Sequence, residues 1–205
     1  MTDYIREYYQ AIKEGSIVVG RWVLLLYEYI VKGLENKSFY FVPKKADRAI
    51  KYIENYCHHS KGRNDLLKLE LWQKALVSVI FGIVDDYGNR QFREIVLLVA
   101  RKNGKSLFAS AIMDYVAFLD GEYGAEIYCL APKLEQAEIV YSCFWQMCQA
   151  EEDTRSKIVA RGRKADFYIE ESNTIIKKIA FNAKKSDGFN PSATICDEIA
   201  SWQGD

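Results

Sequence analysis

The chain has 205 residues, 49% of them hydrophobic and 27% charged, with 28 basic and 28 acidic side chains and a formal net charge of zero. This balance fits a globular chain with a sizeable core, excludes a disordered one, and removes any global electrostatic case for nucleic acid. The longest apolar run, Val23 to Ile30, is broken by Glu28, which argues against a helical membrane span, and Thr2 to Glu7 lack the basic start and apolar block of a secretion signal.

Residues 1–65 read as a helical lobe. Ile5, Tyr8, Tyr9 and Ile12 recur at helical spacing before Gly15 ends the segment. Val23 to Val31 and Ala46 to Tyr56 read as two further helices, the second preceded by Pro43. Between them, Ser38 to Val42 reads as a short strand or an extended aromatic loop. His58 and His59 are adjacent and have no companion at metal-ligand spacing, so they read as loop residues. Lys61 to Asp65 is turn-rich and marks a linker.

Residues 66–205 read as a second, α/β unit. Leu69 to Gln73 leads into a helix through Phe81. The Gln73 amide both donates and accepts, so it can read an adenine edge with Trp72 packed nearby; the plainer reading is core plus surface on an amphipathic helix. After the turn Asp85 to Asn89, strand candidates are Arg93 to Val99, Ala125 to Leu130, Phe167 to Glu170, Thr174 to Phe181 and Ala193 to Cys196. Asp166 to Phe181 reads as a hairpin turning at Glu171 to Asn173. A helix after Pro132 carries Ala137, Val140, Tyr141, Phe144 and Met147. The order predicts a P-loop NTPase fold, with a mostly parallel sheet flanked by helices and preceded by the helical segment.

The chemistry concentrates at Arg101, Lys102, Asn103, Gly104, Lys105 and Ser106. This loop follows the apolar run Glu94 to Ala100 and opens a helix-like stretch from Leu107 to Leu119. Backbone N–H groups at a helix start, a lysine point charge and a serine hydroxyl suit a triphosphate tail with Mg²⁺. The full phosphate-loop pattern wants a glycine where this chain has Val99. Some ninety residues later, a second apolar run ends in Asp197 and Glu198, one acid for the metal shell and one for the attacking water. Five cysteines (Cys57, Cys129, Cys143, Cys148 and Cys196) form no short paired spacing and read as buried reduced thiols. Nine basic residues against three acids from Arg155 to Lys185 make a candidate phosphate-facing patch, after five acids and no base from Glu135 to Asp153.

Taken in order, several segments carry a resemblance: Gly33 to Tyr40, Lys45 to Tyr56, Leu69 to Gln73, Phe81-Gly82, Arg93-Glu94, Ala100 to Ser106, Gly121 to Glu126, Asp187 to Ser192, and Asp197-Glu198. Together they resemble the ATPase half of the large terminase subunit of tailed bacteriophages, along nearly the whole chain. A branch of that family uses a phosphate loop lacking its first glycine. The resemblance implies an ATP- and Mg²⁺-dependent motor that pumps double-stranded DNA into a capsid. It implies a homo-oligomeric ring, portal protein and small terminase subunit as partners, no membrane, and the host bacterial cytoplasm as location for a phage or prophage protein. By position, Lys105 and Ser106 would hold phosphates and Mg²⁺, with Lys102, Asn103 and Gly104 completing the loop. Asp197 would complete the metal shell, Glu198 would orient and deprotonate water, Arg101 would touch the γ-phosphate, and Gln73 would read adenine. Arg161, Arg163 and the Lys184/Lys185 pair are candidates for a finger acting on a neighbouring subunit.

Family members continue well past the acidic motif, whereas this chain stops seven residues after Glu198. The expectation is a fragment whose ATPase core is incomplete at its C-terminus, without the nuclease domain and with weak or no turnover by itself. A helicase-like translocase and a truncated, non-catalytic docking module remain open alternatives at this point.

Overall fold

Helical periodicity organises the first of two compact units, Met1–Glu54 with Lys68–Leu98. The computed structural model describes residues 2–120, 122–162, 166–180, 191–199 and 202. Helix α1 (Tyr4–Lys13) starts at Asp3, whose carboxylate accepts the Arg6 N–H at 3.1 Å, the usual way to satisfy an orphan donor of the first turn. Helices α2 (Arg21–Glu35), α3 (Pro43–Tyr56) and α4 (Leu71–Gly82) follow, with a two-residue antiparallel pairing of β1 (Tyr40–Phe41) to β2 (Ile83–Val84). The unit is held by a core that includes Ile5, Tyr27, Ile30, Phe39, Ala75 and Ile83. Tyr8 meets Tyr27 edge-on at 4.8 Å.

Gly33 shows how tight this core is. A Cβ there would lie 2.2 Å from Phe39 Cζ and 2.6 Å from Cε1, and Phe39 is itself buried. Glycine is thus required on α2 by close approach, not by backbone conformation. Gly33→Ala is expected to destabilise the chain by about 2 kcal/mol, because overpacking outweighs the gain in helix propensity. A chemical denaturation midpoint equal to or above that of the parent would contradict this.

The second unit is Asn55–Leu67 with Val99–Asp205. Its elements are α5 (Lys105–Phe118), β3 (Glu126–Ala131), α6 (Leu134–Ala150), α7 (Glu152–Arg155), β4 (Ile158–Arg161), β5 (Asp166–Ile169), β6 (Thr174–Ala180) and β7 (Ala193–Cys196). The sheet runs β4-β5-β6-β3-β7 and is mixed. Strand β3 pairs parallel with both β6 and β7, while β4-β5 and β5-β6 are antiparallel. With a parallel neighbour on each side, β3 buries Ile127, Tyr128 and Cys129 in succession, as a strand covered on both faces does. Met113 from α5 and Tyr141, Phe144 and Cys148 from α6 pack with Ile127 and Ile176 in one core. Phe167 lies between two stacked rings, Tyr141 at 4.2 Å and Trp145 at 4.5 Å.

Helices expected from periodicity occupy their places, and so does the hairpin, with Asn173 in the left-handed region (φ 52°) at its turn. Three expectations are corrected. Arg93 to Val99 does not form a strand: residues 92–100 carry no regular secondary structure, with Val96 85% and Leu98 96% exposed. Apolar composition reports a tendency to be desolvated, but a strand also needs a hydrogen-bonding edge beside it, and this segment has none of the ladder pairings found among the described residues. Strand β4 was not anticipated; it is short and ends on a charge, and its identity comes from pairing with β5. Among the cysteines, Cys57, Cys129, Cys143 and Cys148 are buried, and burial pushes the Cys129 thiol up to about 12. Cys196 is instead exposed, because alternation along β7 turns it away from the core side taken by Ala193 and Ile195.

The two units divide the chain differently from a lobe of 1–65 followed by a core of 66–205. The helix carrying Gln73 belongs with the N-terminal helices, while residues 55–67 belong with the unit that carries the sheet β4-β5-β6-β3-β7. There His58 Nδ1 donates to the Asn64 carbonyl at 2.9 Å and Nε2 lies 3.1 Å from the Glu151 carboxylate, so the turn-rich segment is pinned to the start of α7.

Candidate nucleotide site

The candidate phosphate loop, Arg101 to Ser106, contains two left-handed residues. Lys102 has φ 69° and Gly104 φ 71°, and Gly104 is the residue that caps α5. At Gly104 glycine relieves the strain a side chain would feel, and no side chain caps the helix. The first N–H groups of α5, beginning at Lys105 and Ser106, have no acceptor within their own helix and carry the positive end of its dipole. Asn103 Nδ2 donates back to the Ala100 carbonyl at 3.2 Å and reaches the Arg101 carbonyl at 3.4 Å, which closes the loop on itself. Arg101, Lys102 and Asn103 are exposed, while Lys105 and Ser106 are half-buried. One turn on, the Ser110 hydroxyl lies 2.8 Å from the Ser106 carbonyl and 3.0 Å from the Val140 carbonyl, tying the start of α5 to α6.

The acidic pair arrives at this loop from the sheet. The Asp197 N–H donates to the Leu130 carbonyl at 3.0 Å, which prolongs the β3–β7 ladder one step past Cys196. This places Asp197 at the carboxyl end of β7, where open α/β sheets build their ligand sites. Its Oδ1 lies 3.5 Å from Lys105 Nζ and also accepts the Glu198 N–H at 2.9 Å. Asp197 is the more enclosed partner, with 12% of its side chain exposed against 37% for Lys105. Glu198 is exposed and holds a left-handed backbone, φ 54°, unusual for a residue with a side chain. Lys105, Ser106, Asp197 and Glu198 thus come from two separate chain segments to one end of one sheet.

Gln73 has a visible job in its own unit. Its Oε1 accepts the Glu70 N–H at 2.8 Å while the Glu70 carboxylate accepts the Gln73 N–H, a capping box that starts α4. Of the candidate finger residues, Arg161 is exposed, ion-paired with Glu170 and set over the Tyr168 ring. Arg163, Lys184 and Lys185 lie outside the described residues, as does the 187–190 part of the Asp187 to Ser192 lead. Sequence reasoning missed Trp202, whose indole Nε1 donates to the Asp197 carbonyl at 3.0 Å. Its only signal was a large aromatic side chain shortly after the two acids.

A model of the terminase large subunit ATPase domain matches residues 71–205, about two-thirds of the chain and all of the segment carrying this site. The chain belongs to the terminase large subunit ATPase-domain family. It is 23% identical over 214 aligned residues to the terminase large subunits of Lactococcus phages p2 and SK1, covering 98% of this chain and 38% of each relative. The chain therefore spans well under half the length of these terminase subunits. The crystal structure of the bacteriophage HK97 large terminase superposes with a TM-score of 0.66 at 21% identity, over 78% of this chain and 32% of that one. That likeness supports the α/β fold of the terminase ATPase domain, a mixed sheet flanked by helices.

Proposed function

We propose that this terminase ATPase-domain chain binds ATP with Mg²⁺ and hydrolyses it as the motor part of a phage DNA-packaging machine. The observation that carries the reading is the approach of Asp197 to within 3.5 Å of the Lys105 ammonium at the start of α5. A cation donor, a hydroxyl, helix-start N–H groups and a carboxylate in one place form a donor set suited to a magnesium–triphosphate group. Ser106 and Asp197 would hold the ion, which would supply positive charge to offset that of the phosphates.

The chain's own residues divide the remaining work. Lys105, with the N–H groups of Gly104 to Ser106 and the exposed Lys102 and Asn103, binds and orients the phosphates. Asp197 is the counter-charge that Lys105 must share once an anion arrives. Glu198 accepts a proton from the attacking water, and Arg101 meets the terminal phosphate. Adenine recognition by Gln73 would fall to its amide NH₂, since its oxygen serves the capping box. The energy of hydrolysis would drive duplex DNA translocation in a homo-oligomeric ring, with portal protein and small terminase subunit as further partners, in the host bacterial cytoplasm. Among the described residues no helix is long and apolar enough to cross a membrane.

The reading is tested by equilibrium binding of a fluorescent ATP analogue with Mg²⁺. Lys105→Ala is expected to weaken affinity by about 10- to 100-fold, the usual worth of a hydrogen bond to a charged group. Equal affinity in parent and variant would remove the phosphate-loop role.

A further inference from the structure

Trp202 holds the one peptide group on which both acids depend. Asp197 is fixed at three of its atoms: its N–H by the Leu130 carbonyl, its Oδ1 by the Glu198 N–H, and its carbonyl by the Trp202 indole. The Asp197 carbonyl belongs to the peptide linking Asp197 to Glu198. Its orientation therefore sets the φ of Glu198, and that φ is 54°, in the region L-residues with side chains avoid. An exposed residue in a short loop would relax to an extended or right-handed backbone unless its neighbours over-determine it. The Glu198 N–H bond to Asp197 Oδ1 spans adjacent residues and restrains the turn only locally. The indole bond reaches from five residues away, and the Trp202 backbone N–H donates in turn to the Ile199 carbonyl at 3.0 Å, so Trp202 is tied to this end of β7 at two of its own atoms. Trp202 is half-buried, so water competes less for its N–H than for an exposed donor.

We infer that Trp202 is a positioning residue: its indole N–H clamps the Asp197–Glu198 peptide and thereby aims the Glu198 carboxylate. This rests on the ATPase reading of the two acids, but its test separates the two. Trp202 acts on the Asp197 carbonyl while the Asp197 N–H stays tied to Leu130, so losing the indole N–H should affect turnover and leave nucleotide affinity nearly alone. Trp202→Phe keeps an aromatic ring and removes the donor. In this chain it is expected to lower kcat by about tenfold, one hydrogen bond's worth, with the KM for ATP within about twofold of the parent. A change in KM alone, or an unchanged kcat, overturns the inference.

A second measurement needs no turnover, and its first half needs only the parent chain. The Trp202 indole N–H, assigned by through-bond NMR among the four tryptophans of the chain, is expected to exchange with water at least about tenfold more slowly than a free indole. In Trp202→Phe the Glu198 amide is expected to exchange faster than in the parent. An unprotected indole, or an unchanged Glu198 amide, overturns the clamp. Should the parent chain bind no nucleotide while the indole is protected, the ATPase reading fails and the clamp stands.

Discussion

Glu198→Gln is expected to bind Mg²⁺–ATP with the affinity of the parent and to turn it over about a thousandfold more slowly, in the middle of the range for removing a general base. The substitution keeps side-chain length and volume and one carbonyl acceptor. What it removes is a carboxylate able to take a proton from water. The main chain at this turn also favours a clean comparison. The Glu198 N–H bond to Asp197 Oδ1 and the Trp202 bond to the Asp197 carbonyl both use main-chain groups at this turn, so neither depends on the side chain being Glu. Glutamine meets the same penalty at φ 54° as glutamate, and the turn should persist. Lys105, Ser106 and Asp197 are untouched, which is why binding should hold. Phosphate release and nucleotide affinity measured on the same preparation check both halves. Weakened binding with an unaltered kcat would reassign Glu198 to ligand contact, and equal turnover would remove it from the chemistry.

The sequence made the two halves of this site visible separately, and only the fold joins them. Gly104-Lys105-Ser106 before a Gly- and Pro-free apolar stretch signals a helix start that faces an anion, because the residue types themselves carry left-handed freedom, charge and a hydroxyl. Asp197-Glu198 after Ala193 to Cys196 signals a strand end bearing acids. That these meet depends on β7 pairing parallel with β3 in the register Leu130 to Cys196, a long-range fact that no local pattern encodes. The same limit explains Arg93 to Val99. Its composition is that of a buried strand, yet composition does not supply the neighbouring edge. Helices α1 to α4 were legible because periodicity, Gly15 and Pro43 are local signals. Gln73 was legible as a polar residue at a helix start, but its partner in the capping box is Glu70, three residues away, and that pairing was there to be read from spacing alone. Trp202 illustrates the opposite case: its role lies in one directed hydrogen bond, and a tryptophan read by hydrophobicity is simply another core residue.

Phe144→Ala is expected to destabilise the phosphate-loop unit by about 3–5 kcal/mol, the loss typical of a fully buried aromatic side chain truncated to a methyl group. Phe144 is 0% exposed and sits in the core shared by α5, α6 and the sheet. The size of the loss depends on whether neighbours can collapse into the space, and here they are restrained. Phe167, 6.1 Å away, is sandwiched between Tyr141 and Trp145, and the Tyr141 hydroxyl donates to the Ile176 carbonyl at 3.2 Å. A ring held on both faces and a tyrosine held at its tip leave the cavity largely open, which favours the upper part of the range. Urea unfolding followed by tryptophan emission would report it, because Trp145 stands in the same stack; a loss under about 1 kcal/mol would mean that the core repacks freely. The same substitution tests whether this core supports the site. Helix α6 is joined to the start of α5 through Ser110, which bridges the Ser106 and Val140 carbonyls. If nucleotide binds only the folded unit, saturating Mg²⁺–ATP should return about 3 kcal/mol at a hundredfold excess over Kd, moving the variant's midpoint back toward that of the parent. A midpoint indifferent to nucleotide would mean that the folded unit binds it no better than the unfolded chain does, and the proposed role of Asp197 would then fail.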